Sequence, residues 1–157
     1  PTHAALLAQT PALAEVRADG FDALFLVGGQ GPMVTFVDDE RVHGLVSAFF
    51  EAGKPTAVVC HATCVVLRAR TGDGRLVVEG KTWTGFANSE ERFADEFVGQ
   101  RIQPFWIQDE AEQLDGTNFV VASRFKPFAI RDGNLITGQQ QYSGVAAARL
   151  VVEALGV

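Results

Sequence analysis

Short, almost wholly apolar runs alternate along this chain with stretches in which apolar residues recur every three or four positions. Asp22-Ala-Leu-Phe-Leu-Val27 predicts a strand, and it ends in a glycine-rich loop, Gly28-Gly29-Gln30-Gly31-Pro32. Asp38-Asp39-Glu40 then precedes Val42, Leu45, Val46 and Phe49-Phe50, an acidic first turn followed by an apolar face at helical spacing. Gly53 stops that helix, and Pro55 opens the β-branched run Ala57-Val58-Val59, a buried strand whose pattern turns helical at Cys60. Strand, helix, strand, helix in this order predicts a parallel sheet with right-handed crossovers. Upstream, the Ala/Leu-rich stretch from His3 to Val16, broken at Thr10-Pro11, predicts one or two short helices.

The second half carries shorter signals. Arg68 to Gly74 is a polar turn, followed by Leu76-Val77-Val78 and by Lys81-Thr-Trp-Thr-Gly-Phe86. Asn88 or Ser89 is placed to cap a helix with Glu90 and Glu91 in its first turn, where acids ordinarily complement the helix dipole. Phe105-Trp106-Ile107 and Leu114 supply the packing face of a further helix. Phe119-Val120-Val121, Phe128-Ala-Ile130 and Leu135-Ile136-Thr137 read as short strands, with Asp132-Gly133 as a hairpin turn, suited to the far edge of the sheet. A closing amphipathic helix runs from Val145 to Leu155, with Ser143 as its candidate cap. There is no repeat, linker or low-complexity segment, so residues 1–157 form one domain, long enough to bury a core.

Charge and cysteine content narrow the partners. A net charge of −6 without a basic stripe argues against nucleic acid, which demands phosphate neutralisation. No apolar run approaches the ~20 residues that span a bilayer. The two cysteines, Cys60 and Cys64, lie one helical turn apart, a poor disulfide geometry, and point to a reducing cytosol. His3, His43 and His61 are too scattered for a metal site.

The candidate chemistry sits at Cys60-His61. A residue on a tight strand-to-helix turn projects its side chain clear of the sheet, and the helix start favours an anion there. The flanking Val58 and Ala62 mean that the glycine signature of hydrolase elbows is absent. A cysteine in an apolar run is also what an inert core residue looks like, and the glycine loop is equally an ordinary turn. Both nevertheless fall at the carboxyl ends of predicted parallel strands, where ligands of such sheets bind.

With these elements placed, the chain resembles the ThiJ/PfpI superfamily of class I glutamine amidotransferase-like proteins, and within it the glyoxalase III-type and chaperone branch. The matching segments are Phe21 to Met33, Val58-Val-Cys-His-Ala62, Glu79 to Glu91 and Pro127 to Gln139. The resemblance implies a flavodoxin-like three-layer α/β sandwich with a mostly parallel sheet. It implies Cys60 as nucleophile, His61 beside it, Glu91 as the acid that orients His61, and amides of Gly29, Gln30 and His61 as an oxyanion site. It also implies a cofactor-free, metal-free cytoplasmic homodimer acting on a small carbonyl substrate such as methylglyoxal. An amidase or isonitrile hydratase-like hydrolase at the same thiol, and a non-catalytic chaperone or redox sensor, stand beside it as alternatives.

Three departures accompany the resemblance. Gln30 stands where the family usually carries histidine, and Gln140-Gln141-Tyr142-Ser143 replaces the family's Asn-Pro-Ala-Ser. Nothing before Phe21 matches the family's opening strand, helix and strand, whose glutamate bonds the nucleophile. The expectation is therefore that a further inner strand and that glutamate belong upstream of Pro1 or come from a partner.

Overall fold

The computed structural model describes residues 6 and 8–157, so the first part of the expected N-terminal helix lies outside the described residues. Two single turns of 3-10 helix, Leu13–Glu15 and Ala18–Gly20, precede the first strand. Strand β1 (Leu24–Leu26) leads through the glycine loop into a one-turn helix α1 (Pro32–Thr35) and then into α2 (Glu40–Glu51). Asp39 caps α2 by accepting a hydrogen bond from the Arg41 N–H at 2.9 Å. Gly53, with φ of +69°, ends it in the left-handed region that suits glycine. Strand β2 (Thr56–Val59) comes next, and all four of its residues are buried.

A four-stranded sheet forms the centre, in the order β1, β2, β6 (Leu135–Gly138) and β5 (Ala129–Asp132). β1 and β6 both run parallel to β2, and β5 closes antiparallel on β6. This is the α/β, flavodoxin-like layout with a mostly parallel sheet. The hairpin turn is the two-residue Gly133-Asn134, one position later than Asp132-Gly133, since Asp132 still pairs with Leu135. The Asn134 side chain fastens that turn to the end of α2, donating to the Phe50 and Lys54 carbonyls.

β6 is not at the far edge. Its four residues are wholly buried because it has β2 on one side and β5 on the other. Among the described residues β1 pairs with β2 alone, and its residues are half-buried.

The remaining elements dock on this sheet. β3 (Thr82–Trp83) and β4 (Asn118–Phe119) make a small parallel pair, in which β4 starts one residue before the Phe119–Val121 strand expected and ends two before it. Trp83 is fully buried, with its ring edge-on to Phe119 at 4.7 Å and its indole N–H donating to the Thr117 hydroxyl. Helices α3 (Asn88–Val98) and α4 (Ile107–Ala111) lie between these two strands in sequence. The closing helix α5 (Gly144–Leu155) buries Ala147 and Val151. Ser143 precedes α5, but its hydroxyl does not cap the helix. It accepts instead from the backbone N–H groups of Phe128 and Gln140. No helix among the described residues is long and apolar enough to cross a membrane.

Candidate functional site

At the end of β2 the chain turns abruptly. Val59 is extended, and Cys60 has φ of +62°, a left-handed conformation that is costly for a residue with a Cβ. A 3-10 helix, Cys60–Leu67, begins at once in place of the α-helix expected, and all eight of its residues are buried. The Thr63 hydroxyl closes its first turn by donating to the Cys60 carbonyl at 2.6 Å. The elbow read from the sequence is therefore present, and a glycine of the loop after β1 packs against it. A Cβ on Gly28 would sit 2.6 Å from both Cys60 Cβ and the Val59 carbonyl oxygen, so only glycine lets the loop after β1 lie this close.

Three predicted residues come together here. His61 Nδ1 lies 3.6 Å from Cys60 Sγ, and His61 Nε2 donates to Glu91 Oε1 at 3.0 Å. His61 and Glu91 are 2% and 1% exposed, so the ring is held in one orientation away from water. Phe86 lies flat on the imidazole, with centroids 3.9 Å apart and planes inclined by 22°. Thr84, two residues before Phe86, is tied to the sheet through its N–H, which donates to the Thr137 hydroxyl.

Burial opposes a charge on His61, but hydrogen bonds to Cys60 and Glu91, with their charges, outweigh it and raise its pKa from 6.5 to about 9. A histidine raised in this way stabilises the fold fully below about pH 6.5, and the contribution is lost as the pH rises through about 9. The melting temperature of the protein is expected to fall across that window, and that of a His61→Gln variant to fall less. Equal slopes for the two proteins between pH 6 and 10 would contradict the coupling.

The two cysteines differ sharply. Both are free. Cys64 is fully buried, its thiol donates to the Pro32 carbonyl at 3.4 Å, and burial pushes its pKa up to about 12. Cys60 lines a cleft of about 500 Å³ together with Gly29, Gln30, His61 and Phe86. Limiting iodoacetamide at neutral pH is expected to modify Cys60 first, as read by peptide mass mapping. Faster modification of Cys64 would contradict the elbow assignment.

Some of the site was not legible as such. Glu90 is not a solvated dipole complement: it is fully buried and lines the same cleft. Its Oε2 accepts from the Ala87 N–H at 3.1 Å, which makes Ala87, not Asn88 or Ser89, the residue before the helix. Its Oε1 accepts from the Phe125 N–H and the Gln139 side-chain amide, both at 2.9 Å. Phe125, flanked by Arg124 and Lys126, carries no sequence signal for a site, and Phe86 stood out only as part of the Glu79 to Glu91 segment that carries the resemblance. The paired acids at 90 and 91 were the one available hint, because a buried helix start leaves acids nothing to do but bond inward.

A parallel α/β sheet with a strained cysteine elbow, backed by a buried histidine and glutamate, defines a class of cysteine-centred α/β proteins. The chain matches the DJ-1/PfpI family over residues 4–154 and belongs to it. It is 27% identical over 145 residues to the probable glutathione-independent glyoxalase hsp3103 of Schizosaccharomyces pombe, covering 90% of this chain and 56% of that protein. The crystallographic structure of APC35852 superposes with a TM-score of 0.80 at 41% identity, covering 88% of this chain and 61% of that one. Glyoxalase III of Candida albicans superposes with a TM-score of 0.77 at 19% identity over 90% of this chain and 60% of its own, a likeness of fold. The chain spans about three-fifths of the length of the curated relatives it matches.

Proposed function

We propose that this chain carries the cysteine centre of a glutathione-independent glyoxalase, which converts methylglyoxal or a related 2-oxoaldehyde into a 2-hydroxy acid. The observation that carries the reading is the Cys60–His61–Glu91 arrangement, open to a cleft, in a family whose relatives include proteins named glutathione-independent glyoxalases. His61, oriented by Glu91, takes the proton of the Cys60 thiol. The sulfur then attacks the aldehyde carbon and gives a hemithioacetal whose oxygen carries the negative charge. Amides of Gly29, Gln30 and His61 are the proposed donors to that oxygen. A base removes the hydrogen from the former aldehyde carbon and a proton is returned to the ketone carbon through an enediol, leaving a thioester. Water cleaves the thioester, releases the hydroxy acid and regenerates the thiol.

No external redox partner is required, because the aldehyde carbon is oxidised as its neighbour is reduced. His61 is the base this chain supplies at the sulfur. The homodimeric and cytoplasmic character expected from the resemblance belongs to the same proposal. The test is production of 2-hydroxy acid from methylglyoxal without glutathione. Lactate formation that Cys60→Ser abolishes supports the reading, and methylglyoxal consumption without lactate would sink it.

A further inference from the structure

Two non-glycine residues in the described chain have positive φ, Cys60 at +62° and Phe125 at +58°, and both line the same cleft. A left-handed conformation is costly for a bulky aromatic residue and persists only where surrounding contacts hold it. For Phe125 those contacts are identifiable. Its N–H donates to Glu90 Oε1, and Gln139 donates to the same oxygen while its own Oε1 accepts from the Ala122 N–H at 2.7 Å. Gln140 donates to the Lys126 carbonyl on the other side. Side-chain bonds from buried residues thus hold a loop that strand pairing does not. The Phe125 ring is braced edge-on by Phe93 at 5.2 Å, and the Arg124 guanidinium lies 4.9 Å from the Phe93 ring and 5.9 Å from the Phe125 ring.

The cleft also has a definite character. Phe25, Val27, Val59, Phe86 and Phe125 give it apolar walls, and no lysine or arginine lines it among the described residues. The one carboxylate on its wall, Glu90, is already occupied by three donors. Among the described residues the one side-chain cation on its wall is His61, which Glu91 already engages, so no free cation holds a carboxylate or phosphate on the substrate. A flat apolar group, by contrast, meets aromatic rings.

We infer that Phe125 is a specificity-determining wall of the site, that Glu90 is its positioning residue, and that together they favour carbonyl substrates bearing an aryl or other flat apolar substituent. The substrate class rests on the glyoxalase reading. The selectivity of the thiol's surroundings does not, so the two can fail separately.

The test compares two alkylating reagents at Cys60, iodoacetamide and its N-benzyl derivative. In each, the sulfur displaces iodide to form one S–C bond, so the ratio of their rates reports the surroundings of the thiol. The native protein is expected to favour the benzyl reagent about three- to tenfold after correction for free cysteine, the range that one aromatic contact supplies. Phe125→Ala is expected to bring the ratio near one, and Phe125→Tyr to retain it. Glu90→Gln, which leaves one oxygen for the three donors of Phe125, Gln139 and Ala87, is expected to lower it while cooperative unfolding persists. Phe97→Ala, which removes an exposed ring outside the cleft, is the control that keeps the native ratio. Because a loosened site reacts like free cysteine and also brings the ratio towards one, each variant's ratio is compared only under conditions where thermal unfolding shows that variant to be folded.

An unchanged ratio in Phe125→Ala overturns the proposal. An unchanged ratio in a folded Glu90→Gln overturns the positioning role, and if that variant does not fold, Phe125→Ala still decides the wall. In turnover, kcat/KM for phenylglyoxal relative to methylglyoxal is expected to fall by the same factor in Phe125→Ala. Absence of turnover with both substrates would count against the glyoxalase reading and leave the alkylation result standing.

Discussion

Glu91→Gln is expected to leave the protein folded and to lower turnover of methylglyoxal about 10²- to 10⁴-fold, as loss of the orienting acid does in related catalytic triads. The substitution preserves shape but removes a charge that helps raise His61 to about 9. The glutamine oxygen can still accept from Nε2, so the ring keeps its place while the imidazolium loses its partner at 3.0 Å. The effect is therefore expected in kcat more than in KM, because Glu91 does not line the cleft. Burial sharpens the contrast, since both groups are nearly inaccessible to water that would otherwise substitute for the lost charge. Kinetics beside circular dichroism and thermal unfolding make the measurement. Turnover within about threefold of the native protein, less than any orienting acid supplies, would place the acid elsewhere.

Gly28→Ala is the second large effect, and it acts through the backbone. The added methyl would meet Cys60 Cβ and the Val59 carbonyl at 2.6 Å, and the His61 N–H at 3.1 Å. Two of these three atoms are backbone, and the third is fixed by it, so no flexible side chain can yield. Overpacking of this kind costs about 1–3 kcal/mol. Relief requires the loop after β1 to move away from the elbow, which displaces Gly29 and Gln30 from the thiol. A lower melting temperature and loss of most turnover are expected together. Gly44→Ala is the informative comparison, because it lies inside α2 with nothing within 4 Å of its added methyl. That substitution is expected to stabilise the protein by about 0.5–1 kcal/mol. Chemical denaturation of the two variants reads both signs, and a neutral Gly28→Ala would contradict the packing argument.

The sequence by itself determined the parallel α/β character, the elbow and the place of Cys60 on it. Each depends on local pattern: β-branched runs bounded by glycine and proline, an acidic start to α2, and a strand passing into helical spacing at Cys60. Family resemblance added the choice of Glu91 over its neighbour, which spacing alone left open, and the 3.0 Å contact with His61 agrees with it. The tertiary structure decided everything that depends on which strands become neighbours. Leu135–Gly138 looked like an edge strand because its turn is local, yet it lies inside the sheet, since its other partner, β2, is distant in sequence. Ser143 looked like a cap, but its hydroxyl goes to backbone groups brought close by the β5–β6 hairpin. Glu90 looked like a surface acid, and the fold closes the 122–126 loop over it and turns it into the anchor of Phe125. Hydrophobic period and turn chemistry specify elements one at a time. A buried polar group must find its partners wherever the chain brings them, and that pairing is a property of the packed molecule.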